Sequence, residues 1–337
     1  MSPKFKAPLG RRVTSYDVAV AAGVAQSTVS RCFRPDSEMS ASTRARIQAV
    51  AAQLGYVPNA LARSLITKRS NLVAVIVTDF TLRANPAIVG GIGRALAETG
   101  KQLLLFAVDA DRGEAAPAAA QAAQTYPLDG LMVAASLPGE QVRPFLQRGV
   151  PVVFFNRPVA LAQVDRVATD HATAAGLVSR RLLAAGHRRF VCLGGPADWP
   201  VNRERAGGFV SGLDDITVLN SGPDYASGRT AFLDHVRRTG VPDAVFCVTD
   251  PLAFGVLDAC RFELGLSVPR DLSVVGFDDV AEAAHQGYDL TTVRQPIDRL
   301  ASAAVDMLVR RLDAPGGKAS RLLLPGTLIE RGSARLG

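Results

Sequence analysis

The 337-residue chain lacks most of what would mark an enzyme or a membrane protein. No apolar run reaches the roughly 20 residues that a membrane-spanning helix needs. The first residues carry lysine, proline and arginine where a signal peptide would carry an apolar core. These absences predict a cytoplasmic protein with no membrane partner. Cysteine is scarce: Cys32, Cys192, Cys247 and Cys260 show no Cys-x-x-Cys spacing and no adjacent histidine. They are expected to be reduced, buried thiols, with no metal site. The four histidines (171, 187, 235 and 285) are scattered, and neither Gly-x-Ser-x-Gly nor His-Glu-x-x-His occurs. Gly91-Ile92-Gly93-Arg94-Ala95-Leu96 imitates a dinucleotide-binding glycine pattern. A true fingerprint opens a helix directly after a strand. This one sits more than ten residues beyond its strand, inside a helical pattern and without the final glycine. No cofactor and no enzymatic activity are expected.

What is present is a lopsided charge. Residues 1–70 hold eleven lysines and arginines against three acids, whereas the remaining 267 residues hold 27 against 28. The whole excess of +7 therefore lies in the first fifth of the chain. A local positive field of this kind favours a polyanion, and the basic residues are interleaved with helix-patterned apolar ones.

Residues 14–34 read as two short helices around a tight turn. Thr14 and Asp17 have the spacing of a capping box. Val18, Ala19 and Ala22 share one helical face, and Gly23 supplies the turn. Val29 and Phe33 form the inner stripe of the second helix, leaving Gln26, Ser27, Ser30 and Arg31 outward. Outward groups that can hydrogen-bond base edges and phosphates suit a helix in the major groove. A third helix is capped by Ser40, carries Ile47, Val50, Ala51 and Leu54 inward, and ends at Gly55. The segment Tyr56–Leu65 follows, with Pro58 at a helix start but too few residues for an isolated helix.

From residue 71 the pattern changes. Continuous apolar runs at 72–78, 102–108, 130–134, 150–155, 189–194, 244–248 and 272–277 alternate with helical stretches at 88–98, 172–184, 228–238, 251–264 and 297–312. Strands buried on both faces and separated by helices predict parallel, doubly wound sheets in an α/β fold. About 260 residues of this pattern call for two lobes. Ligands in such folds bind beyond the carboxyl ends of strands. Residues chosen by position are Asp79 and Phe80, Asn156 and Arg157, Thr249 and Asp250, and Asp278 at strand ends, Trp199, Arg203 and Arg205 past Gly194-Gly195-Pro196, and Gln295 on an expected crossover between lobes.

At this point the chain resembles the lac repressor/galactose repressor (LacI/GalR) family along essentially its whole length. The motifs are Tyr16-Asp17-Val18-Ala19 with Ala22-Gly23-Val24, Thr28-Val29-Ser30-Arg31, Thr43-Arg44, Leu54-Gly55-Tyr56-Val57-Pro58-Asn59, Ala62-Arg63-Ser64-Leu65, Gly186-His187, Ser273–Asp279 and Leu290–Val293. The resemblance implies a small all-α helix-turn-helix headpiece, a hinge helix, and an effector domain of the periplasmic-binding-protein type. The corresponding divisions are a flexible basic N-terminus (1–12), the headpiece (13–58), the hinge (59–70) and the effector and dimerisation domain (71–337). Its N-lobe would comprise about 71–168 and 296–325, its C-lobe about 169–294 and 326–337.

The resemblance further implies that Gln26, Ser27 and Arg31 face bases. Thr14, Tyr16, Ser30, Arg34, Ser40, Thr43, Tyr56 and Asn59 would touch phosphates, and Ala62 and Leu65 would enter the minor groove. Two departures stand out: Ala25 where many relatives carry serine, and Glu38 near the backbone-contacting loop. The implied partners are a pseudo-palindromic DNA duplex, a second copy of the chain, and a small effector, a sugar or sugar acid. The end of the chain shows no leucine heptads, so a dimer is expected. Arg205 and Asp278 are the foremost effector contacts. Asn156 replaces an acid seen in some sugar-responsive relatives, and Thr249 replaces a frequent asparagine. A rival reading, a solute-binding protein without DNA function, suits the lobes but not the basic front.

Overall fold

A computed structural model describes residues 11–33, 37–58, 69–109, 115–159 and 161–337. The expectations for residues 1–10, Arg34, Asn59, Ala62 and Leu65 lie outside the described residues. The backbone groups into two units, Met1–Ser70 and Asn71–Gly337.

In the first unit, α1 (Ser15–Ala22), α2 (Gln26–Cys32) and α3 (Ala41–Leu54) enclose a core of Val18, Ala19, Ala22, Val29, Cys32, Ile47 and Ala51. Thr14 caps α1 in a full capping box: its backbone N–H donates to Asp17 Oδ2 at 2.8 Å, and Asp17 N–H donates back to Thr14 Oγ1. Arg11 clamps the same carboxylate through both guanidinium nitrogens, at 3.0 and 2.6 Å. Gly23 takes φ 64°, the left-handed conformation that ends α1 and turns the chain into α2. Ala25 stands at the start of α2 and offers no side-chain cap. The helix ends at Cys32, so this residue, 1% exposed, takes the inward place. Phe33, expected in the inner stripe, is half-buried and packs against this core and against Tyr56, with ring centroids 5.7 Å apart. Arg44 donates to Cys32 O at 2.6 Å and Ser37 O at 2.8 Å, tying α3 to the end of α2.

The second unit is a pair of α/β lobes. The first sheet has the order β11-β5-β4-β3-β1-β2, with β1 (Leu72–Thr78), β2 (Gln102–Val108), β3 (Gly130–Ala134), β4 (Val152–Phe155), β5 (Asp165–Asp170) and β11 (Arg321–Pro325), all parallel. The second has the order β12-β10-β9-β8-β6-β7, with β6 (Phe190–Leu193), β7 (Ile216–Leu219), β8 (Ala244–Cys247), β9 (Ser273–Asp278), β10 (Thr291–Arg294) and β12 (Thr327–Ile329). Only β12 runs antiparallel to its neighbour.

The alternation of side chains along a strand explains why β1 reads as one unbroken apolar run. Val73, Val75 and Val77 enter a core with α5 (Ala87–Glu98) and α12 (Ile297–Asp313). Ala74 and Ile76 enter the opposite core with α6 (Ala115–Ala123) and α7 (Gly139–Gln147). The C-lobe core gathers α8 (His171–Ala184), α9 (Pro200–Val210), α10 (Tyr225–Thr239) and α11 (Asp250–Phe262) around the second sheet. The remaining helix, α4 (Asp79–Ala84), follows β1 directly. The Gly91–Leu96 run lies inside α5, away from any strand-to-helix turn.

Strands β5, β7, β10, β11 and β12 are not marked by apolar runs. The pair β5–β11 joins segments about 155 residues apart, with Arg166 beside Arg321, and β7 is a half-exposed edge. All four cysteines are free and buried. No helix among the described residues is long and apolar enough to cross a membrane.

Candidate functional site

Two surfaces carry the sequence-predicted residues. On the headpiece, Ser27 and Arg31 of α2 are exposed and Ser30 is half-buried. Gln26 is also half-buried, its Nε2 donating to Ser15 Oγ at 3.0 Å. Tyr16 stands 69% exposed at the start of α1. At the start of α3, Ser40 Oγ accepts from Thr43 N–H and donates to Thr43 Oγ1 at 2.8 Å, so both hydroxyls belong to the cap. The exposed face of α2 thus offers amide, hydroxyl and guanidinium groups over an apolar inner side. That is the chemistry needed to hydrogen-bond base edges and phosphates.

The second surface is a cleft between the lobes. It encloses about 140 Å³ and opens where the strands of both sheets end. Phe80 follows β1, Asn156 and Arg157 follow β4, Thr249 follows β8, Asp278 closes β9, and Gln295 follows β10. Trp199, Asn202 and Arg205 come from the start of α9. Phe80 and Trp199, one from each lobe, meet edge to face with centroids 5.2 Å apart. They form an aromatic wall suited to an apolar ring face.

A line of buried polar groups runs through the cleft floor. Arg205 Nη2 lies 3.0 Å from Asp278 Oδ1. Gln295 Nε2 donates to the same oxygen at 2.6 Å. Gln295 Oε1 in turn accepts from Asn156 Nδ2 at 2.7 Å and from Thr169 Oγ1 at 2.9 Å. Asn156 Oδ1 accepts the Thr169 backbone N–H at 2.8 Å.

Arg205 is further fixed by donation to Val248 O at 2.7 Å and by its guanidinium carbon, 3.9 Å from the Phe277 ring centroid. Its Nε donates to His171 Nδ1, which burial and neighbouring guanidinium charges hold neutral, well below the usual imidazole range. Burial pushes the Asp278 carboxyl up, and Arg205 opposes that shift. Burial, with Arg205 nearby, brings the Arg157 guanidinium down to about 10. Asn156 adopts φ 49°, in the left-handed region that asparagine tolerates better than most residues, and Asp278 adopts φ 128°, which few non-glycine residues take. The Thr249 hydroxyl is buried without a hydrogen-bond partner among the described residues.

Three residues expected at the cleft do not line it. Asp79 turns back on its own helix, accepting from Phe80 N–H at 2.7 Å and from Arg83 at 2.8 Å. Arg203 is exposed and lines a separate groove formed by α8 and α9. Two residues along a helix are roughly 200° apart, so Arg203 cannot share the face of Arg205, whereas Asn202, three residues before Arg205, does. Asp250 lies fully buried beneath the floor, taking Thr292 Oγ1 at 2.5 Å and Val280 N–H at 2.9 Å. Gly276 makes room for it, since a Cβ there would fall 2.2 Å from Asp250 Oδ1. Burial beside Asp278 raises the Asp250 carboxyl to about 7. Sequence reasoning missed Asn85, Asn202 and Asp109. The helical spacing to Arg205 pointed to Asn202, and the end of β2 pointed to Asp109.

Comparison with known proteins places both surfaces in context. The family description "Bacterial regulatory proteins, lacI family" matches residues 14–59, and "Periplasmic binding protein-like domain" matches residues 179–334. The chain is 30% identical over 330 residues to the ribose operon repressor of Escherichia coli K12, covering 95% of this chain and 99% of that one. It is 32% identical over 338 residues to the HTH-type transcriptional regulator CelR of Thermobifida fusca, covering 96% and 98%. Its fold is similar to the lac repressor dimer bound to operator and the anti-inducer ONPF, with TM-score 0.86, 28% identity, and 96% and 99% of the two chains covered.

Proposed function

The chain belongs to the LacI family of bacterial regulatory proteins, and from that premise we propose that α2 of the headpiece reads duplex DNA while the interlobe cleft takes the small molecule that controls the reading. The protein is a sequence-specific transcriptional repressor and not an enzyme, and it acts as a homodimer on operator DNA. A twofold dimer calls for a pseudo-palindromic operator. A cytoplasmic location on the nucleoid follows from that role.

Arg31 forks onto a guanine edge and Gln26 pairs with adenine, while Ser27 completes the base-facing row. Thr14, Tyr16, Ser30, Arg34, Ser40, Thr43, Tyr56 and Asn59 set the register on the phosphates. Ala62 and Leu65 enter the minor groove, Leu65 as a wedge. The observation that carries the DNA reading is the exposed Ser27–Arg31 face in the charge-rich headpiece.

The effector is a single-ring carbohydrate. Support comes from the aromatic wall of Phe80 and Trp199 and from the polar floor of Asn156, Arg157, Asn202, Arg205, Thr249, Asp278 and Gln295. The enclosed 140 Å³ is a one-ring volume, since a cavity of about 150 Å³ accommodates benzene. The ribose named for the E. coli relative is of that size class. A ligand shifts DNA affinity only by its difference in affinity for the two states of the dimer.

Two measurements test these assignments together. Chromosomal duplexes retained by the protein should share a pseudo-palindrome, and Arg31→Ala should weaken binding by about 1–3 kcal/mol and relax preference at one base pair. Trp199 is the only tryptophan, so its fluorescence should respond to an effector sugar. Failure to retain any chromosomal duplex, with or without sugars, would remove the DNA assignment. A sugar that alters DNA affinity without changing Trp199 fluorescence would move the effector site elsewhere.

A further inference from the structure

Resting on the assignment of the cleft as the effector site, we infer that the effector is a sugar acid, and that Arg157 receives its carboxylate. The argument begins with the charges on the cleft wall, which are Asp109, Arg157, Arg205 and Asp278. Arg205 and Asp278 neutralise one another at 3.0 Å. Asp109 is itself partnered. Glu204, behind the wall, is held by Arg166 at 3.4 Å. Arg157 alone has no carboxylate within ion-pair distance among the described residues, and makes one hydrogen bond, from Nη1 to Asn156 O at 2.9 Å. A guanidinium carries five N–H donors, so most of its capacity is unspent.

The adjoining side chain cannot provide the missing charge. Gln295 commits its amide nitrogen to Asp278 and its oxygen to Asn156 Nδ2. A carboxylate at position 156 would set acceptor against acceptor at that oxygen. The hydrogen-bond order of the cleft floor therefore holds residue 156 neutral, and the neighbour of Arg157 is an amide. Asp278 and Glu204 act on the half-buried Arg157 from beyond ion-pair distance, but desolvation and the like charge of Arg205 outweigh them, and a cation so placed is costly. The same desolvation that lowers the Arg157 guanidinium towards about 10 would be offset by an incoming anion. A carboxylate fits the guanidinium fork in a bidentate manner, while the ring it is attached to lies against Phe80 and Trp199.

The test uses the full chain, Trp199 fluorescence, and matched probes: D-ribose with D-ribonate, D-galactose with D-galacturonate, and D-glucose with D-glucuronate. At least one acid should bind about tenfold or more tightly than its neutral counterpart. Arg157→Gln should bring that ratio close to one, and Arg157→Lys should retain a clear preference for the acid. Melting of each unliganded variant, compared with the wild type, checks that the fold is intact. A wild type that prefers the neutral sugar, or an acid preference unchanged in Arg157→Gln, overturns the inference while leaving the cleft assignment in place. Phe80→Ala addresses the assignment itself and should weaken acid and neutral probes alike. Indifference to Phe80→Ala, or silence of all six probes, would remove both.

Discussion

On the outer faces of the headpiece helices positive charge stands open; inside the effector unit the buried guanidiniums meet carboxylates. Arg31 projects from α2 into solvent, and Arg46 is equally exposed on α3. In the larger unit the buried or half-buried guanidiniums meet carboxylates: Arg205 with Asp278, Arg311 with Asp165, and Arg331 with Asp279. The two regions also differ in depth. Seven side chains form the buried headpiece core, whereas the lobes enclose three separate clusters. A surface for a polyanion needs unmatched charge on a small frame, and a switchable cavity needs matched charge inside a large one. Arg157 is the instructive exception: headpiece-like charge placed inside the effector unit.

The comparison breaks most visibly where a matched charge loses its partner. Arg205→Ala strands Asp278 in the interior and should cost about 3–5 kcal/mol of stability, read by chemical denaturation of the larger unit. A small core should also tolerate truncation poorly. Ile47→Ala is expected to cost about 2–5 kcal/mol, enough to abolish the headpiece helical signal and DNA retention while the transition of the larger unit stays in place.

Acid and base should act on the two regions with opposite sign. Arg11 and the Thr14 groups hold the Asp17 carboxyl down to about 2, so its contribution is present above the ordinary value of 3.8 and is lost as pH falls from there towards 2. Asp250 is held up at about 7, so its contribution is full below 3.8 and is lost as pH rises towards 7. Between pH 4 and 7, thermal unfolding of the larger unit should fall more steeply in the wild type than in Asp250→Asn. The smallest effect belongs to an exposed pair. Arg94→Ala removes the contact with Asp298, whose side chains are 65% and 79% exposed, and should shift stability by less than about 1 kcal/mol.

Much of the architecture was legible because burial on both faces leaves an unbroken apolar run, as in β1, and because capping residues such as Thr14 and Ser40 act locally. Strands stabilised from a distance were not legible. β11 is half exposed and exists because β5, far away in sequence, pairs with it. At the cleft, the rule of strand ends selected Phe80, Asn156, Arg157, Thr249 and Asp278, and the expected lobe crossover selected Gln295; the fold brings all six to the same cleft. The rule of strand ends also drew in Asp79 and Asp250, which open the helices α4 and α11: Asp79 bonds back into its own helix and Asp250 turns under the floor towards Thr292 and Val280. Arg203 failed because it lies on a different face of α9 from Arg205. Asn85 lies beyond a short helix that no apolar pattern announced.

The inward ties of Arg11 and Arg44 bear on how salt should govern operator binding. Arg11 is neutralised by Asp17, and Arg44 spends its donors on the carbonyls that hold α2 to α3. Neither is available to displace the ions condensed around a duplex, although both add to the basic tally of the first 70 residues. The dependence of log affinity on log salt, about −0.9 per phosphate neutralised, should therefore be shallower than eleven cations per subunit would give. Part of this basic front is mortar for the headpiece itself.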